Sequence, residues 1–130
     1  MTPSLRPYIV VLGATLFVQG LAAWALDWSG RASSTLPARF ANSDPRHAAI
    51  HVAWGALMLV VVVRGADERG YVRLALAFGV FYSALAVLGL AVHHPFGLRL
   101  DAGENAFHLI VGPLTLALAL AAMRLERMPA

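Results

Sequence analysis

Residues 8–26 form an apolar run in which Gln19 is the one strongly polar side chain, and that run decides the class of fold before anything else is read. Hydrocarbon offers no water to the backbone amides, so a stretch of this kind must satisfy its own hydrogen bonds as a helix. At 1.5 Å per residue it crosses a bilayer core of about 30 Å. Three further runs follow, and together they predict helices over about 8–26, 45–63, 71–92 and 102–125. The expected fold class is all-α: a four-transmembrane-helix bundle in a single integral membrane domain, residues 1–130. Composition agrees, since 59% hydrophobic residues, 13% charged residues and a mean hydropathy of +0.69 lie outside the range of soluble domains. Ala23-Trp24-Ala25 has the small-x-small look of a signal-peptidase site, but the apolar run exceeds a usual signal core and is read as a retained helix.

The helix ends carry their own chemistry. Asp44-Pro45 pairs an acidic N-cap with proline at the first helical position, where its missing N–H costs nothing. Before it, residues 27–44 form a long polar connection in which Trp28 and Phe40 suit the headgroup zone. Residues 65–70 are a tight charged turn, so the second and third helices should run antiparallel. Along the third, Ala75, Gly79 and Ser83 fall on one face at spacings of four, the pattern that lets helices approach closely in lipid. His93-His94-Pro95 should close that helix. Asp101 then caps the fourth, and Glu104 at its third position gives an Asp-x-x-Glu that resembles a capping box. Pro113 removes the hydrogen bond to the Leu109 carbonyl, and a kink is expected there.

The ten basic residues are all arginine and fall between the apolar runs, which makes them topological anchors and argues against a nucleic-acid partner. Arg6, Arg64, Arg69, Arg73, Arg124 and Arg127 belong to the side holding both termini; Arg31, Arg39, Arg46 and Arg99 belong to the other. The larger set marks the cytoplasmic side, so both termini are expected inside and all the histidines outside. No cysteine is present, which removes disulfides, thiolate metal sites and thiol catalysis. No Walker, GxGxxG or HExxH motif occurs.

Two stretches read alike. Asp44-x6-His51-x3-Gly55 opens the second helix and Asp101-x6-His108-x3-Gly112 opens the fourth, so the chain reads as an internally duplicated two-helix unit. Its two copies would be related by a pseudo-twofold along the membrane normal. In this alignment His47 matches Glu104. Each helix thus offers two ligand types one turn apart on one face, His47 with His51 and Glu104 with His108. If the two helices flank the axis, these four residues converge on a site suited to zinc or copper, and His93 or His94 could add a ligand. His51 and His108 lie roughly 10 Å below their helix starts, a depth at which polar groups face a partner or a cavity. The same residues also have a purely structural reading. Asp44 and Asp101 then cap, His47 and Glu104 serve the helix ends, and Gly55, Gly79, Ser83 and Gly112 pack helices.

These motifs resemble those of an uncharacterised family of small bacterial four-helix membrane proteins, a domain of unknown function. The resemblance rests on Asp44, Pro45, His47, His51 and Gly55, then Asp101, Asn105, His108 and Gly112, and it covers residues 8–124. It implies a multi-pass protein of the bacterial cytoplasmic membrane and brings no activity with it. The leading reading is a non-enzymatic membrane protein with a histidine and carboxylate metal site near the outer face, between the second and fourth helices. One alternative is a metal-free accessory subunit of a larger membrane complex or a homo-oligomer. Another is a b-type haem protein with His51 and His108 as axial ligands.

Overall fold

A computed structural model describes residues 4–30, 44–92, 95–98, 100 and 102–127. They form four long helices: α1 (Arg6–Trp28), α2 (Pro45–Val63), α3 (Glu68–Ala91) and α4 (Ala102–Arg127), with a short 3₁₀ turn, Pro95–Gly97, before α4. All four are long and apolar enough to cross a membrane. Their outward faces carry Val11, Val18, Val63, Val80, Val87 and Ile110, all exposed, as lipid rather than water would favour.

Local chemistry sets the ends. The Asp44 carboxylate accepts a hydrogen bond from the Arg46 amide at 3.0 Å, with Pro45 in the first turn of α2. At the other end of α2, Gly65 adopts φ +69°. Its amide donates to the Val62 carbonyl and that of Ala66 to Val61, the paired bonds of a Schellman motif that only a left-handed residue closes cheaply. The turn is shorter than expected because Asp67 caps α3 through the Gly70 amide at 2.9 Å. The helix therefore starts at Glu68 rather than near residue 71. The fourth helix runs through Pro113 as one element. The expected caps and loop groups at Asp101, His93, His94, Arg31, Arg39, Phe40 and Arg99 lie outside the described residues.

The helices pair as two hairpins, α1 with α2 and α3 with α4, and glycines set both pairings. A methyl group on Gly55 would stand 2.5 Å from the Phe17 amide nitrogen, and one on Gly112 would stand 2.6 Å from that of Ser83. Gly79 meets the Leu116 backbone in the same way, at 2.7 Å. The small-residue face of α3 is thus spent within the chain, where it holds α4 at backbone contact. Between the hairpins the packing is bulkier. Ile9, Leu16, Met58, Phe78 and Tyr82 are wholly buried there, and Trp54 of α2 sets its ring edge-on to Phe78 of α3.

Polar ties hold the two ends of the bundle. Where α1 and α3 begin, Glu68 accepts from the Leu5 amide at 2.6 Å and the Ser4 hydroxyl at 2.8 Å, which satisfies an otherwise orphaned donor of the first turn of α1. Exposed Arg6, Arg64, Arg69, Arg73 and Arg124 gather at this end. At the opposite end Trp24 donates to the Pro45 carbonyl at 3.0 Å. There Asn105 also donates to the carbonyls of Gly89 and Leu100, at 3.3 and 3.4 Å, tying the start of α4 to the last turn of α3. The Tyr8 and Thr115 hydroxyls bond the first turn of α1 to the middle of α4.

Candidate metal centre

Since α2 and α4 both begin at the end opposite Arg6, Arg64, Arg69, Arg73 and Arg124, their first two turns bring His47, His51, Glu104 and His108 together. The reason is the i, i+4 spacing: His47 and His51 share one face of α2, Glu104 and His108 one face of α4, and both faces look into the bundle. His47 and His108 are wholly buried, and His51 and Glu104 nearly so. One ring nitrogen from each of His47, His51 and His108 lies within 4.8 Å of the other two.

The contacts inside this cluster are ordered. His47 Nε2 stands 3.2 Å from His108 Nε2, while His47 Nδ1 stands 3.1 Å from Glu104 Oε2. His47 thus turns its Nδ1 towards the Glu104 carboxylate and its Nε2 towards His108. Metal-binding histidines are oriented by this arrangement, a carboxylate behind the imidazole that coordinates. Glu104 therefore stands behind His47, and the converging donors are the three imidazoles. His51 completes the group, its ring centroid 4.5 Å from that of His47 and 6.3 Å from that of His108. Between the two helices the closer imidazole pair is thus His47 with His108, at a centroid separation of 5.0 Å, not the motif-equivalent pair His51 with His108.

Two further groups bear on the site. Tyr82 of α3 is wholly buried; its ring stands edge-on to His108 at a centroid separation of 5.0 Å and tilted to His51 at 6.0 Å. Among the described residues, His51 Nε2, His108 Nδ1 and Tyr82 Oη are buried without a hydrogen-bond partner. Phe107 of α4 lies beside His51 and His108, and Phe78 of α3 stacks on Tyr82.

Of the residues singled out from sequence, the structure brings together His47, His51, Glu104 and His108. It places Asp44 as the cap one turn above them and Gly55, Gly79, Ser83 and Gly112 at helix crossings. His93, His94 and Asp101 lie outside the described residues. Tyr82 escapes a motif-based reading because it belongs to no motif. The one signal for it is a phenol in the middle of an apolar span, a hydroxyl that has to find a partner. Comparisons with protein-family models, with curated proteins and with solved structures each return no match.

Proposed function

We propose that this chain is a small membrane protein that holds one transition-metal ion, zinc or copper, on His47, His51 and His108, with Glu104 orienting His47. The observation that carries the reading is the 3.2 Å separation of His47 Nε2 and His108 Nε2 in a buried site. Two imidazoles bound to one tetrahedral ion at about 2.0–2.1 Å place their nitrogens about 3.3 Å apart. The donor set is nitrogen-rich and borderline in softness, which suits zinc and copper and disfavours magnesium or calcium. Metal would also engage the His51 ring, whose Nε2 no described residue satisfies.

Other features fit the same reading. Among the described residues Arg6, Arg64, Arg69, Arg73 and Arg124 lie at the end away from the site and Arg46 beside it, which supports termini in the cytoplasm and a centre near the outer face of a bacterial cytoplasmic membrane. Gly55 packing on α1 and Gly112 on α3 supports descent from a duplicated helix pair. The haem alternative is disfavoured. His47 stands 4.5 Å from His51 and 5.0 Å from His108 by ring centroids, in the space a porphyrin between those two would need. The accessory-subunit alternative loses one of its motives, the small-residue face of α3, which already packs on α4.

Elemental analysis of protein purified in mild detergent without chelators tests the proposal. Wild-type protein should carry about one zinc or copper per chain, and His51→Ala and His108→Ala should carry far less. Metal-free wild-type protein that also takes up neither ion on dialysis would refute it.

A further inference from the structure

The three histidines leave a tetrahedral ion one ligand short. Structural zinc sites are closed by four protein ligands, whereas sites with three keep a position for water or another exogenous group. Among the described residues no fourth histidine or carboxylate joins the cluster, since Glu104 lies on the far nitrogen of His47. A second observation points the same way. Tyr82 is wholly buried, rests its ring against both His108 and His51, and keeps a hydroxyl that no described residue bonds. A buried phenol usually finds a partner, and this one is held against the metal ligands by its stack on Phe78 at 4.3 Å.

Resting on the metal-centre reading, we propose that the centre is open: its fourth position takes a small exogenous anion or water, and Tyr82 donates a hydrogen bond to it. Tyr82 is then a positioning residue contributed by α3, so the site draws on three helices. The ligand class is a compact oxygen or nitrogen donor, because Phe107 and Tyr82 pack their rings against the imidazoles. The site would therefore exchange its ligand rather than serve only as a cross-link between α2 and α4.

Cobalt(II)-loaded protein, titrated with azide and followed by its visible d–d spectrum, tests this. Wild-type protein should show a saturable spectral change. Tyr82→Phe, which removes only the hydroxyl, should bind cobalt at the same stoichiometry but azide about tenfold more weakly, the loss of one hydrogen bond. A cobalt spectrum that azide leaves unmoved would overturn the inference, whether His93, His94 or another group closes the site. Equal azide affinity in Tyr82→Phe would overturn the role of the phenol. A phenolate-to-metal charge-transfer band in the copper form, lost in Tyr82→Phe, would overturn it too, by making Tyr82 itself the fourth ligand. Protein that takes up no cobalt, zinc or copper refutes the metal centre as well, so the two failures read differently.

Discussion

His47 Nε2 and His108 Nε2 lie 3.2 Å apart on helices that belong to different hairpins. The hairpins themselves are held by glycine-mediated backbone contact, but across the seam between α2 and α4 it is these imidazoles that meet. Whatever binds both histidines therefore clamps the two halves together, and several consequences can be measured.

Ligands and their support should separate by size of effect. His108→Ala removes a converging donor and should weaken metal binding more than about 100-fold, leaving a two-imidazole site that fills only at high metal concentration. Glu104→Gln keeps the shape but replaces the carboxylate beside His47 Nδ1 with a neutral amide, and should weaken binding about 10–100-fold, the usual cost of losing an outer partner. Competition against a chromophoric chelator measures both.

Metal should stabilise the fold, because the separated hairpins cannot offer the assembled site. An ion present at about a hundredfold excess over its dissociation constant adds about 2.7 kcal/mol. Thermal unfolding in detergent should show that increase for wild-type protein, its reversal by chelator, and no increase for His51→Ala.

The helix crossings should be intolerant of a single methyl group. Gly55→Ala and Gly112→Ala press a Cβ against backbone rather than against a side chain that can turn away, and each should cost about 1–3 kcal/mol. Val11→Ala, on the exposed face of α1, should leave the unfolding midpoint nearly unchanged. A Gly112→Ala protein as stable as wild type would contradict the α3–α4 packing.

Much of this architecture is legible in the amino-acid sequence. Asp44-Pro45 marks the start of α2 because a cap and a proline both act locally, and the four apolar runs demand helices whatever their partners. The convergence of His47, His51, Glu104 and His108 follows from i, i+4 spacing once α2 and α4 face each other. Less visible is the division of labour within that group. Which imidazole meets which depends on the relative register of α2 and α4, a tertiary quantity, and so Glu104 as the partner of His47 Nδ1 cannot be told from Glu104 as a ligand by spacing alone. Tyr82 is hidden for the same reason: its contact with His108 arises only because Gly112 lets α4 settle against the Tyr82 and Ser83 backbone. The early start of α3, by contrast, has a local cause, since Asp67 is an ordinary N-cap.

Asp44 links the cap to the site. Asp44→Ala removes the bond to the Arg46 amide and should cost about 0.5–2 kcal/mol. It should also weaken metal binding, because His47 sits in the turn that the cap orders. Asp44→Asn, which still accepts that bond, should restore most of both; equal losses in the two variants would mean that charge, not capping, is what matters.

X-ray absorption at the metal edge of the zinc- or copper-loaded protein tests the three-histidine centre most directly. Three imidazole nitrogens are expected at about 2.0–2.1 Å, with the outer-shell scattering of histidine rings, and a drop to two in His108→Ala. A first shell made only of oxygen, or a spectrum that His108→Ala leaves unchanged, would contradict it.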